Sequence, residues 1–206
     1  MIKQRFVPIV WFSLFFLPVS LQAQDDWKLV RQDKDIKVYL HKSWKENKTY
    51  RAEAIIKAPI DTVYHFLTDF HNYINWVYNC KKIEVIEEEK DVKYVYYAYY
   101  DLPWPFTDRD AISVHRIIHY TDGRKDVKST PGNDYLPVEE DVIRIEEFEE
   151  YYQLIPLSDK TMHLKMKGKY DPGGYIPDWL VKQFLSMGPL DALQEIKKNS
   201  EKKVTN

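Results

Sequence analysis

The most informative stretch of this chain lies near its middle and reads Asp101-Leu102-Pro103-Trp104-Pro105-Phe106-Thr107-Asp108-Arg109-Asp110. Val92 to Asp101 precedes it and Asp110 to Tyr120 follows it, and both segments are rich in β-branched and aromatic residues. That composition is typical of strands that pack against a core. The sequence therefore predicts a strand on each side of the stretch.

Further strands are predicted outward from this point, because apolar and polar residues alternate with the period of two expected for a half-buried strand. They are Ile36 to Leu40, Thr49 to Ile56, Lys82 to Glu87, Val142 to Leu154 and Thr161 to Tyr170. In the second of these, Ala52 and Ala54 are expected to face inward, where their small side chains would leave volume unfilled.

Four segments are predicted to be helical or irregular. Asp26 to Lys34 is interpreted as a short opening helix, and Pro59 begins a helix whose apolar residues recur every three or four positions up to Phe70. A long C-terminal helix begins near Pro177, and Gly188-Pro189 is expected to bend or break it. Residues 122–141 contain two glycines and two prolines and are predicted to form a surface loop.

The order of these elements predicts an α+β fold, because helices that flank a run of strands pack most simply on one face of an antiparallel sheet. The fold expected is the helix-grip, a curved antiparallel sheet wrapped around a long C-terminal helix. The sequence shows no internal repeat or long linker, so residues 24–206 are taken as one domain.

Residues 1–23 have the pattern of a signal peptide. Lys3 and Arg5 are followed by an uncharged, mostly apolar run from Phe6 to Leu21, and Ala23 is a suitable last residue before cleavage. The run is shorter than the ~20 residues of a membrane-spanning helix, which favours a cleaved signal over the alternative of an uncleaved anchor. The protein is therefore expected to be exported and to be periplasmic or secreted.

Composition excludes some classes of partner. Without residues 1–23 the chain has 28 basic and 32 acidic residues, so it lacks the basic surface of a nucleic-acid binder. Cys80 is the only cysteine, so the domain has no intramolecular disulfide and must be held by core packing. Aromatic residues make up 15% of the chain, which indicates a large core or a pocket with polar tips. We expect a monomer.

The quoted stretch resembles bacterial members of the START (steroidogenic-acute-regulatory-related lipid transfer) family, in which Pro-Trp-Pro is followed by Asp-Arg-Asp at the entry to a central strand. The resemblance extends to Ala58-Pro59 with Val63 and Asp69, to Tyr73 with Trp76 and Cys80, and to Asp171-Pro172-Gly173-Gly174-Tyr175-Ile176-Pro177-Asp178-Trp179-Leu180. It implies the helix-grip fold and a tunnel between the sheet and the C-terminal helix. One lipid or other hydrophobic molecule would occupy that tunnel, without a cofactor.

Alternation in the strand after the stretch places Arg109, Ser113 and His115 on one face and Asp110, Ile112 and Val114 on the other. Periodicity does not choose between the faces, and the resemblance favours the first as the cavity wall. For Arg109, contact with a ligand headgroup and an ion pair with Asp108 or Asp110 are left as equal alternatives, since a buried arginine needs a partner in either case.

The residues predicted to bind the ligand combine that face with large side chains from other elements. They are Arg109, Ser113, His115, Tyr97, Tyr99, Trp104, Tyr152, Phe184 and Met187. No metal site is expected, because His115 and His119 would lie about 13 Å apart along a strand at ~3.3 Å per residue. The acidic run from Glu146 to Glu150 is interpreted as a solvated part of a strand.

Three functions follow from these observations. The first is binding of a lipid and its transfer between membranes, with transient membrane contact, gated by the C-terminal helix at Gly188-Pro189 and by residues 122–141. The second is a helix-grip cyclase or hydrolase acting on an aromatic or polyketide-like substrate, for which His115 is the candidate titrating group. The third is a ligand sensor that binds without transfer. The sequence contains no nucleophile elbow or dinucleotide fingerprint, which favours a non-enzyme.

Overall fold

The computed structural model describes residues 26–205, so the predicted signal peptide at 1–23 lies outside the described part of the chain. The strands are β1 (Trp27–Asp33), β2 (Ile36–His41), β3 (Thr49–Ile56), β4 (Cys80–Glu89), β5 (Lys93–Tyr100), β6 (Arg109–His119), β7 (Lys125–Pro131), β8 (Ile143–Arg144), β9 (Glu147–Ser158) and β10 (Thr161–Asp171). The α-helices are α1 (Trp44–Asn47), α2 (Ile60–Thr68) and α3 (Asp178–Thr205), and a 3-10 helix spans Phe70–Asn75.

The ten strands form one sheet in the order β1-β2-β3-β10-β9-β7-β6-β5-β4, and the neighbours along this path are antiparallel. The two-residue β8 lies off the path and pairs with β6 in parallel. β3 pairs with β10, so a strand from the first third of the chain lies beside the last strand in the interior of the sheet. With α3 packed against β1, β2, β3 and α2, this arrangement confirms the predicted α+β helix-grip fold.

The helix α3 runs without interruption from Asp178 to Thr205, so Gly188-Pro189 does not break it, and the alternative of a bend stays a prediction. Proline removes one backbone donor, but the apolar residues that follow it bury deeply against the sheet, and Leu193 and Ile196 have no exposed surface. Packing of this face offsets the lost hydrogen bond. Among the described residues, no helix is long and apolar enough to cross a membrane.

The C-terminal half of α3 lies close to β3 because Ala52 and Ala54 are small. Both alanines face inward and are buried, as predicted, but they are not among the residues that line the cavity of the interior. Lys197 ties this end of the helix to the sheet by donating to the Ile55 carbonyl and pairing with Asp35 at 3.1 Å.

A second, smaller core lies on the opposite face of the sheet and is formed by Val95, Tyr97, Ile112 and Val114. The chain after β7 covers it, since the Gly132 amide donates to the Ile112 carbonyl. The surface loop predicted at 122–141 is therefore partly wrong, because it includes β7 and because Gly132 is buried against the second core, whereas residues 133–141 are exposed as predicted.

The opening helix predicted at Asp26 to Lys34 is also wrong, because this segment forms the edge strand β1. Trp27 and Val30 are three residues apart, which imitates the spacing of a helix, but pairing with β2 determines the structure. Lys34 adopts the left-handed conformation (φ 53°) in the tight turn that joins the two strands.

Candidate functional site

A cavity of about 200 Å³ lies between the inner face of the sheet and the N-terminal half of α3. Most of its wall is aromatic or aliphatic, which suits an apolar guest. The lining residues include six tyrosines from four strands and the 3-10 helix, namely Tyr50, Tyr73, Tyr96, Tyr100, Tyr152 and Tyr170. From α3 and the segment before it come Ile176, Val181, Phe184, Leu185, Pro189 and Ala192.

Arg109 is part of the cavity wall and holds two loops together. Its guanidinium donates to the carbonyls of Pro172 (2.6 Å) and Gly173 (2.9 Å) on one side, and to the Thr107 carbonyl on the other. Gly173 and Gly174 both have positive φ, which turns their backbone toward the guanidinium without a steric cost. The main partners of this buried arginine are therefore backbone carbonyls, and burial lowers its pKa.

Neither aspartate that flanks Arg109 is its ion-pair partner, so that alternative is wrong. The Asp110 carboxylate forms a bidentate pair with Arg144 at 2.8 and 2.7 Å, and both side chains are buried. The Asp108 carboxylate accepts from the Leu102 amide at 2.8 Å and from the Tyr99 hydroxyl. Asp108, Arg109 and Asp110 thus each hold the start of β6 in place through a different set of partners.

His115 shares the face of Arg109 and Ser113 but lies one step beyond the cavity wall. Its Nε2 is 2.8 Å from the Tyr96 hydroxyl and 2.9 Å from the Ser129 hydroxyl. Its Nδ1 is buried and has no hydrogen-bond partner within residues 26–205. Burial lowers the pKa of His115 to about 3, so the ring is neutral. Its hydrogen bond holds the hydroxyl of Tyr96, which is itself part of the cavity wall.

Glu150 is the carboxylate of the cavity wall, which contradicts its interpretation as part of a solvated run. β9 alternates so that Phe148, Glu150 and Tyr152 face inward, whereas Glu149 is exposed. The Tyr50 hydroxyl donates to Glu150 at 2.6 Å. Burial raises the pKa of this carboxyl, while the hydroxyls of Tyr50, Tyr152 and Tyr170 act in the opposite direction.

Gly168 makes the contact between Tyr50 and Glu150 sterically possible. It pairs with Tyr50 on one side and with Glu150 on the other, so the three residues form a row across β3, β10 and β9. A Cβ at position 168 would lie 2.7 Å from Cζ of Tyr50 and 2.8 Å from its hydroxyl oxygen. The missing side chain gives the tyrosine ring room to cross β10 and reach the carboxylate.

The structure places four of the nine predicted site residues at the cavity wall: Arg109, Ser113, Tyr152 and Phe184. His115 lies behind the wall, and Met187 packs against the core beside it. Ligand contact by these residues stays a prediction.

The predicted placement of three aromatic residues is wrong. Tyr97 belongs to the second core, and Tyr99 packs against that core, because the inward face of β5 carries Tyr96 and Tyr100 instead. Trp104 is 92% exposed in the loop between β5 and β6. In β5, tyrosines occupy both faces, so the alternation of residue types carries no information about which face is inner.

The sequence analysis missed Glu150 and all of the six cavity tyrosines except Tyr152, and a signal for Glu150 was present. Phe148, Tyr152 and Leu154 alternate as an inward face, and Glu150 falls on the same parity. A carboxylate on the apolar side of an alternating strand indicates a buried polar site rather than a solvated surface.

A scan against protein-family models matches the START domain over residues 19–204. The chain belongs to the START domain family. A search of curated proteins finds the uncharacterized protein PA1579 of Pseudomonas aeruginosa, which is 29% identical over 183 residues, covering 87% of this chain and 89% of that protein. This START domain is thus similar in sequence to a bacterial protein of nearly the same extent.

Solved structures agree with this assignment. A STAR-related lipid transfer protein from Xanthomonas axonopodis aligns with a TM-score of 0.75 and 26% identity, covering 84% of this START domain and 98% of that chain. Human StAR-related lipid transfer protein 5 shares the fold, with a TM-score of 0.73, 19% identity and 90% coverage of both chains. The Zhui aromatase/cyclase from Streptomyces shares it more distantly, with a TM-score of 0.54, 12% identity, and coverage of 76% and 94%.

Proposed function

We propose that this START domain binds a lipid or another hydrophobic small molecule in the cavity under α3 and transfers it between membranes. The cavity wall carries the proposal, because it is built from aromatic and aliphatic side chains with few polar groups. Apolar surface that enters it gains roughly 25 cal/mol for each Å² removed from water. The Xanthomonas relative is described as a lipid transfer protein, which supports the same function here.

Transfer requires contact with a bilayer, and two adjacent loops are suited to it. Trp104 is 92% exposed in one loop, and Tyr175 (84%) and Trp179 (61%) are exposed in and just after the other. Arg109 joins these loops, and both contribute residues to the cavity wall, Leu102 from the first and Ile176 from the second. Exposed tryptophan and tyrosine partition to the interface of a bilayer. These three exposed side chains, the aromatic rim, would therefore bring this part of the cavity wall to the membrane.

The proposed function includes export of the protein to the periplasm or to the exterior of the cell. The pattern of residues 1–23 favours export, so the membranes served would be those facing the periplasm or the exterior. A carrier that functions as a monomer would cross the space between them with its ligand covered by α3.

Native mass spectrometry of the mature protein purified from its own host tests the binding function, with extraction and identification of any bound molecule. A stoichiometric lipid is the expected result. A transfer assay between donor and acceptor vesicles then separates a carrier from a sensor, since a sensor would bind the same lipid without moving it. A protein that stays empty after exposure to total membrane lipid would contradict the proposal.

The enzymatic alternative has a weaker basis in this structure. His115, its candidate titrating group, is neutral and lies behind Tyr96 rather than at the cavity wall. The similarity to the Zhui aromatase/cyclase is below 25% identity and concerns the fold. Turnover of an aromatic polyketide by the purified protein, lost in Glu150→Gln, would be needed to favour this function over transport.

A further inference from the structure

The two charged side chains of the cavity wall differ in whether their charge is compensated by neighbouring groups. Of the described residues in the wall, Arg109 and Glu150 are the charged ones. The guanidinium of Arg109 is engaged by the carbonyls of Thr107, Pro172 and Gly173. Glu150 has tyrosine hydroxyls as partners, and no cation acts on it among the groups that shift its pKa. The cavity therefore holds a carboxylate without a counter-ion.

The surroundings of Glu150 form a built site rather than an accidental cluster. Tyr50 reaches it across Gly168 and donates at 2.6 Å, and the rings of Tyr50 and Tyr170 are stacked with their centroids 6.3 Å apart. The ring of Phe148 stacks on Tyr170 from the other side at 5.7 Å. These rings fix the carboxylate in one place on the inner face of the sheet.

A buried carboxylate is costly unless a positive charge or several hydrogen bonds compensate it. The tyrosine hydroxyls compensate it in part, and they leave acceptor positions of the carboxylate for a donor that enters the cavity. An ammonium group satisfies both needs, because its N–H groups form charge-assisted hydrogen bonds with the carboxylate. The surrounding tyrosine rings add the attraction of an aromatic face for a cation.

We propose that Glu150, together with Tyr50, Tyr152 and Tyr170, forms a recognition site for a protonated amine at the polar end of the hydrophobic ligand. This inference rests on the proposed function and narrows its ligand class. Alkyl carboxylic acids would be repelled by Glu150, and alkyl alcohols would form a hydrogen bond without the ion pair.

Titration calorimetry with decylamine, decanol and decanoic acid tests the inference, because the three probes share one chain length and differ in the polar end. The wild-type protein should bind decylamine at least about tenfold more tightly than decanol. Glu150→Gln keeps the shape of the side chain and should remove that preference. Glu149→Gln is the matched control: it makes the same change one residue away, on the exposed face of β9, and should leave the preference intact.

The wild-type protein provides a second measurement that does not depend on a variant. The titratable groups around Glu150 in the cavity wall are Tyr50, Tyr73, Tyr96, Tyr100, Tyr152 and Tyr170, whose pKa values are raised by burial, and Arg109. None of them changes charge between about pH 8 and about pH 5. Burial raises the pKa of Glu150, so this carboxyl takes up a proton at a higher pH than an ordinary carboxyl does. Affinity for decylamine should therefore fall as the pH is lowered, while affinity for decanol stays constant.

Three results would overturn the inference: equal affinity of the wild-type protein for amine and alcohol, an amine preference that survives in Glu150→Gln, or no binding of decylamine. Any of these is distinguishable from failure of the proposed function, which is judged by the lipid that co-purifies with the protein. A co-purified lipid without an amine, together with no amine preference, would leave lipid binding in place and remove this site.

Discussion

Arg144 and Asp110 form the most deeply buried ion pair described in the chain, with side-chain exposures of 2% and 0%. Replacing Arg144 with alanine leaves the Asp110 carboxylate buried without its partner, which should lower the free energy of unfolding by about 3–5 kcal/mol. Urea unfolding measures this change. The exposed Arg116 on the same strand is the control, and Arg116→Ala should change stability by less than about 0.5 kcal/mol.

The double replacement Asp110→Leu with Arg144→Met distinguishes a lost partner from lost packing. It removes both charges and keeps most of the volume, so it should be less destabilising than Arg144→Ala alone. A double variant that is at least as unstable as the single one would show that the two charges are not coupled in this way.

His115 should make stability depend on pH. Burial lowers its pKa to about 3 in the folded protein, below the ordinary value of 6.5, so the unfolded chain binds a proton first as the pH falls. This contribution to stability is complete above about pH 6.5 and is lost progressively toward about pH 3. His115→Gln keeps an acceptor for Tyr96 and should give a flatter profile of urea midpoint against pH. Parallel profiles for the two proteins would contradict the assignment.

Two glycines within regular secondary structure provide a matched pair with different expectations. Gly168→Ala places a Cβ against the ring of Tyr50, and such overpacking should destabilise the protein by about 1–3 kcal/mol. Gly188→Ala, inside α3, meets its nearest atom outside the neighbouring residues at an ordinary 3.8 Å. A Cβ directly before Pro189 offsets the gain in helix propensity, so this variant should change stability by less than about 0.5 kcal/mol. Thermal unfolding of both variants measures the difference. Equal effects would mean that the contact of Gly168 with Tyr50 is not what fixes that position.

The gating role of α3 is testable at the same position. An ideal Cβ at 188 would lie 3.8 Å from Cβ of Tyr78, which is the usual Cβ separation in a disulfide. In a Cys80→Ala background, Tyr78→Cys with Gly188→Cys should join the helix to the segment before β4. Ligand exchange should slow by about tenfold or more in the oxidised protein and recover after reduction. The reduced form of the same protein is the control, and equal exchange rates would exclude gating by α3.

The elements with clear alternation were predictable and those without it were not. β3 and β10 carry apolar residues on one parity, so both their position and inner face follow from the sequence. β5 carries tyrosine on both faces, and a shift of one residue reverses every side chain, which is how Tyr97 and Tyr99 were misplaced. The α3 helix continues through Pro189 because the packing of distant residues outweighs a local preference.

The site itself was only half predictable. Alternation groups Arg109 and Ser113 on one face of their strand, and the family resemblance selected that face as the wall, where the structure has them. The role of Gly168 instead depends on two strands that are far from each other in sequence. A glycine in a strand suggests a close approach, but the sequence does not say which side chain approaches. Tyr50 is known as that side chain only when β3 and β10 are paired.

The exposed aromatic rim (Trp104, Tyr175 and Trp179) should control the rate of lipid transfer between vesicles and not the binding of the lipid. Trp104→Ala and Trp179→Ala should each slow vesicle-to-vesicle transfer by about tenfold, since a buried aromatic side chain is worth roughly 1.5–3 kcal/mol. Lipid content and thermal stability should not change, because both side chains are largely in solvent. Leu157→Ala is the control, because Leu157 is an exposed apolar residue near the C-terminal end of β9. The loop that carries Tyr175 follows β10 where β10 pairs with the other end of β9. Equal slowing in this control would point to a general effect on the surface.

The pairing of β3 with β10 has a consequence for how the chain is made. Residues 49–56 cannot pair with residues 161–171 until the latter have left the ribosome. The junction between β3 and β10 is therefore the last part of the sheet to form. Contacts between such distant segments slow folding. Until then β3 and β9 both present an open edge, and a chain truncated before β10 would keep both edges available to other chains. Synthesis of the final strand and helix is thus the step that closes these two edges and completes the sheet.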